Sequence, residues 1–193
     1  MSVITLPADD LVQYRFTLFP PPQESVSALE TNMQQIEAAG ARWRVTISLR
    51  RLPDHRFEEW ADLYEQGATF AWPIPQPGAT VGDPGAPVAD GSPQLGRTLS
   101  VRNLSNGYAV GKGRWLTVTS AGRARAFHTT AAVTAAAGGA ADLRVNPPIF
   151  RRSVSDGDAV DLAAPHITGF IDFAGFARTQ GFSRTDPFTL TER

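Results

Sequence analysis

The chain contains no cysteine. That single absence excludes disulfides, thiolate metal centres and a cysteine nucleophile. It also lacks an excess of either charge: 18 basic and 19 acidic residues leave a net charge of −1. The basic footprint of a nucleic-acid binder is therefore missing. Lysine is nearly absent, with Lys112 the sole example; the remaining cations are arginines, whose forked guanidinium suits interfacial hydrogen bonds. No apolar run approaches the ~20 residues needed to span a bilayer as a helix. The opening MSVITLPADD has neither a basic segment nor an apolar core of signal-peptide type. Together these features predict a soluble product made in the cytoplasm.

Chemistry-bearing motifs are equally scarce. His55, His128 and His166 stand far apart in sequence, and there is no HExxH. GKGRW (111–115) offers Gly-x-Gly without the rest of a phosphate-binding loop, so it reads as a turn. SDGDAVD (155–161) gathers Asp156, Asp158 and Asp161 but lacks the closing Glu of a calcium loop. No GxSxG elbow anchors a serine nucleophile. The expectation is a protein without catalytic residues, metal or cofactor, and not an enzyme.

What is present is a β-rich pattern. Hydrophobic residues make up 42% of the chain and charged residues 19%, which suits a globular fold, and 193 residues suit a single domain. There are 17 glycines and 15 prolines, typical punctuation for short strands with long connections. LVQYRFTLF (11–19), ARWRVTISL (41–49), TLSVRNL (98–104), YAV (108–110), WLTVTS (115–120), RARAFHTTAAVT (123–134), ADLRVNPPI (141–149) and AVDL (159–162) read as strands of a sandwich or barrel. Residues 29–39 are ambiguous between helix and strand. PDHRFEEWADLYEQG (53–67) is the clearest helix. Asp54 caps it, and Phe57, Trp60, Ala61 and Tyr64 form one apolar stripe.

Two segments ask for partners. In residues 73–97, eleven of 25 positions are Pro or Gly. A run without regular structure at this length reads either as a surface meander or as an arm that packs on another subunit, with Pro75, Pro77, Pro84 and Pro87 as contacts in the second case. The tail (166–193) carries five of the eleven phenylalanines: Phe170, Phe173, Phe176, Phe182 and Phe188. That many aromatic rings are not expected in water. ITGFIDFAGF and PFTLTE within it read as strands seeking a sheet. Finally, in ARWRVTISLRRLP (41–53), Trp43, Val45, Ile47 and Leu49 alternate with Arg44, Thr46, Ser48 and Arg50. The first set predicts a core face against the helix. The second faces solvent or a contact with another chain.

Taken in order, several segments carry a likeness. They are GARW with its alternating strand, RFEEWADLYEQG, ATFAWPIPQP, VADGSPQLGRTLSVRNL, GY-x-x-GKGRWLTV, GGAADLRVNPPIFR and GDAVDLAAPHITGF. The ordered set, over about residues 11–193, resembles the distal tail protein family of long-tailed bacteriophages and gene-transfer particles. The resemblance implies a mainly β fold: a tail-tube-like β-sandwich or split barrel with one flanking helix at about 54–66. It implies a ring, commonly a hexamer, joining the tail tube to the hub or baseplate at the tail tip and leaving a channel for DNA. Tail tube, hub and tape-measure proteins are the implied partners, in a virion assembled in the host cytoplasm. The single domain would span 1–193, with Arg44, Thr46, Ser48, Arg50, Pro75, Pro77, Pro84, Pro87, Phe176 and Phe182 at an interface or lumen; if the strand at 41–53 lines that lumen, Arg44 and Arg50 are expected to be paired with acids, because bare arginines would hold DNA phosphates. Within the setting this resemblance implies, the alternative is a non-catalytic virion module that binds carbohydrate, with Trp72 and Trp115 as aromatic platforms, or a tail terminator or baseplate subunit.

Overall fold

The computed structural model describes residues 3–6, 11–19, 41–49, 53–65, 69–78, 81–91, 94–150, 154–172, 176–179, 182–185 and 188–192. Two β layers meet along one seam. The first is a six-stranded sheet, the second a closed six-stranded barrel.

The sheet is built from β1 (Val3–Thr5), β2 (Leu11–Phe19), β3 (Arg42–Leu49), β4 (Thr69–Pro73), β13 (His166–Asp172) and β16 (Phe188–Glu192). Its strand order is β1-β4-β13-β16-β3-β2. Only β1–β4 is parallel. The sequence alternation sets one continuous core face. Tyr14 lies opposite Ile47 and Phe16 opposite Val45, Val45 opposite Leu190, Leu190 opposite Ile171, and Ile167 opposite Trp72. Val45, Ile47, Trp72, Ile167 and Leu190 are fully buried. Each contributes roughly 1.5–3 kcal/mol relative to an exposed side chain. Gly169 faces Glu192 in the β13–β16 pair, and a Cβ there would run into the Thr191 carbonyl. The absence of a side chain is what lets these two strands approach.

The barrel holds β5 (Gly85–Ala89), β6 (Gly96–Leu104), β8 (Trp115–Ser120), β9 (Arg123–Thr129), β11 (Ala141–Ile149) and β12 (Ala159–Asp161). Their order is β11-β6-β5-β12-β8-β9, and β9 pairs back to β11 through Val145 and Thr129. Inward residues such as Leu99, Val101, Leu116, Val118, Phe127, Leu143 and Val145 fill it as a packed core. β7 (Ala109–Val110) and β10 (Val133–Thr134) form a small separate ladder, and β14 (Phe176–Thr179) with β15 (Phe182–Thr185) a hairpin.

The helix α1 (Asp54–Glu65) lies between β3 and β4 in the chain. Trp60 anchors it, buried to 3% and 5.7 Å from the Phe188 ring. The core face of β3 therefore meets more than the helix expected to cover it. Trp43 also packs on the barrel, with its ring 5.0 Å from that of Trp115.

The segment 73–97 departs from the expected arm without regular structure. Residues 85–89 are a barrel strand, and Pro84 and Pro87 are buried within this chain. A proline-containing strand is tolerated because β5 pairs irregularly. Its register jumps between Gly85↔Leu104 and Val88↔Arg102, and Pro87 falls in the jump, where no ladder N–H is needed. The tail differs too: Phe188 is buried, but Phe170 is 52% exposed. Residues 29–39 and Phe173 lie outside the described residues.

Candidate functional site

Arg44, Thr46 and Ser48 occupy the outward face of β3, each half-buried. Thr17 and Thr191 stand opposite Arg44, and Arg15 and Thr189 opposite Thr46. Directly opposed residues share a face, so these strands make one outer surface of arginine and threonine. Phe170, opposite Thr191, carries it onto β13. At the end of β2, the Arg44 guanidinium carbon sits 4.2 Å from the centroid of the Phe19 ring, a cation–π distance. Arg44 Nε is buried without a hydrogen-bond partner. Arg44 is thus held by an aromatic ring rather than by an acid among the described residues. Arg50 lies outside them.

The other residues expected at an interface are dispersed. Pro84 accepts the Ser105 N–H at 3.0 Å, and Pro87 is buried in β5. Register places Phe176 opposite Thr185 and Phe182 opposite Thr179, at opposite ends of the β14–β15 hairpin. Pro75 and Pro77 line a cleft of about 630 Å³ together with Tyr14, Phe16, Lys112 and Trp115. One candidate platform for a sugar, Trp115, thus borders a cleft, but the Phe16 ring lies 4.5 Å from it at 33° and covers it. The other, Trp72, is completely buried.

A buried carboxyl at the seam between the layers went unrecognised in the sequence. Glu192 is 5% exposed. Its Oε2 accepts the Trp43 N–H at 3.0 Å and its Oε1 the Ala126 N–H at 2.7 Å. Trp43 belongs to the sheet and Ala126 to the barrel, so one side chain ties both layers. The Trp43 indole adds a second tie, donating from Nε1 to the Ala126 carbonyl at 3.0 Å. Burial pushes the Glu192 carboxyl up to about 7, against the opposing pull of the two backbone N–H donors and of Arg125 and Arg42. A signal for this residue was available. In FTLTE, Phe188 and Leu190 face inward, and period two carries Glu192 to the same side.

On the barrel surface, Arg102 bonds Asp90 at 2.7 Å and also pairs with Asp156. Asp156 additionally accepts the Gly91 N–H at 3.0 Å. Its carboxyl is held low, first by Arg102 and then by Gly91. The acids of the SDGD turn therefore serve as loop ties. Asp158 likewise accepts the Ser155 N–H at 2.6 Å.

Among the described residues, no three His, Cys, Asp or Glu side chains converge to hold a metal ion. No helix among them is long and apolar enough to cross a membrane. The outer sheet surface can bind through shape, guanidinium forks and exposed rings. No family model matches the chain, and no curated protein matches it.

Proposed function

We propose that this chain is a structural subunit of a phage-type tail tip, with a tail-tube-like fold, assembling into a ring that connects the tail tube to the hub. The observation that carries this reading is the strand β2. It is nine residues long, stands at the edge of the sheet, and pairs only with β3 among the described residues. A long edge strand is a template for pairing with another chain. Phe19 at the end of this strand and Phe170 on β13, three strands away, are 40% and 52% exposed, on the face that carries Arg15 and Arg44. Exposed rings and arginines are the residue types enriched in interface cores.

This reading assigns the outer face of β3 to a contact between subunits more readily than to a lumen. An arginine-lined lumen would hold DNA phosphates unless acids neutralised it, and among the described residues Arg44 has an aromatic ring, not an acid, beside it. Mass photometry and negative-stain microscopy on the purified chain test the proposal. The expected outcome is a closed ring, six-membered by the family resemblance, with a central channel. A strict monomer at high concentration, even with tail-tube and hub proteins added, defeats it. The carbohydrate-binding alternative is weaker, because Trp72 is buried and one ring packs over Trp115.

A further inference from the structure

A separate cleft, of about 550 Å³, opens where the β8–β9 turn meets the sheet. Its walls include Thr69, Thr119, Arg123, His166 and Thr168. Among the described residues that line it there is no carboxylate. Arg123 is exposed, and no ion-pair partner for it is found among the described residues. The cleft is thus a concentration of donors with one fixed positive charge.

The state of the hydroxyls sharpens this. Thr168 Oγ1 is used, donating to the Ala124 carbonyl at 3.1 Å. Thr69 is 6% exposed, and its Oγ1 is buried with no hydrogen-bond partner. A hydroxyl taken from water and left unpaired is costly, and native folds rarely leave one without a reason.

We propose that this cleft binds an organic oxyanion, a carboxylate or phosphate ester of small-molecule size. Arg123 supplies a forked guanidinium that matches two oxygens of either group. The Thr69 hydroxyl and the His166 imidazole supply further donors. The volume, within the usual range for small-molecule sites, exceeds what a bare inorganic ion fills. The site lies apart from the edge strand β2, so its failure leaves the ring proposal intact.

The test uses the full chain labelled with ¹⁵N in its three histidines, titrated separately with inorganic phosphate, with succinate and with neutral glycerol. Either anion should shift the His166 ring resonances saturably while those of His55 stay in place, and glycerol should not. Saturation by one anion alone supports the proposal and names the group. Arg123→Gln should weaken binding at least roughly tenfold, the scale of one charge-assisted hydrogen bond. Arg123→Lys should fall between, having charge without the fork. Thr69→Val should weaken binding and Thr69→Ser retain it; if Thr69→Val does not fold, the two Arg123 variants on the exposed turn decide. No saturable shift with either anion, an equal response to glycerol, or undiminished binding by Arg123→Gln overturns the proposal.

Discussion

The Trp43 backbone N–H donates to Glu192 at 3.0 Å, and both residues are buried at the seam of the two layers. The same carboxyl takes the Ala126 N–H from the barrel, so its protonation is coupled to how the layers hold together. Its folded pKa, about 7, lies above the ordinary 4.5. Between those values the folded state binds a proton that the unfolded chain releases. Stability from this group is therefore fully present below pH 4.5 and is lost as pH rises through about 7. The loss should total roughly 3 kcal/mol at most. Urea unfolding at several pH values between 4.5 and 8 measures it, and Glu192→Gln should flatten that slope. A wild-type stability that rises across this window contradicts the assignment.

Gly169 gives a second expectation. A methyl group there meets the Thr191 carbonyl across the β13–β16 pair. Backbone cannot step aside as a flexible side chain can, so Gly169→Ala should destabilise the fold by about 1–3 kcal/mol, the usual cost of overpacking. The urea midpoint should fall with little change in slope. An unchanged midpoint would show that the two strands have room to spare.

The turn joining β8 to β9 predicts the opposite sign. Ala121 and Gly122 have φ of 47° and 73°, the pair of positive values that a two-residue hairpin of type I′ requires. Gly122 suits this and Ala121 does not. Ala121→Asn should stabilise by roughly 1 kcal/mol, raising Tm by about 2–4 °C for a chain of this size. Calorimetry reads the shift directly, and a lowered Tm would sink the argument.

These residues also show which parts of the fold were legible in the sequence. LVQYRFTLF, WLTVTS and ADLRVNPPI coincide with β2, β8 and β11, because alternation is a local signal that burial of one face then enforces. The closing of the barrel was not legible. β5 holds Pro87, and the three-residue β12 reaches β5 through a single pair, Ala159↔Val88. β5 exists through non-local pairing, not through its own propensity, whereas AVDL has a strand pattern and coincides with β12; its pattern left open only which strands it joins. Glu192 was overlooked because a charged residue near the end of the chain reads as solvated, although its phase in FTLTE pointed inward. Of the expected site, Arg44, Thr46 and Ser48 do share one face. The prolines could not be placed, since composition says nothing about which of them meets a barrel.

The last expectation addresses that shared face. Phe170 stands on β13, 52% exposed and opposite Thr191, whose other neighbour across the sheet is Arg44. If the face is a contact between subunits, Phe170→Asp sets a charge where a ring should be desolvated. An unpaired charge in an interface core is far more costly than the same charge in water. Because half of the ring is exposed in the lone chain, the substitution should cost less than one in the core. The variant should therefore still fold cooperatively at room temperature, read by its melting curve, yet fail to form rings in mass photometry. Thr46→Glu should also fold alone, since Arg15 opposite it on β2 offers the new carboxylate a cation, and should weaken ring formation by adding bulk to the contact and occupying that arginine. Rings that form as readily with both variants as with the wild type would move the assembly surface off this face.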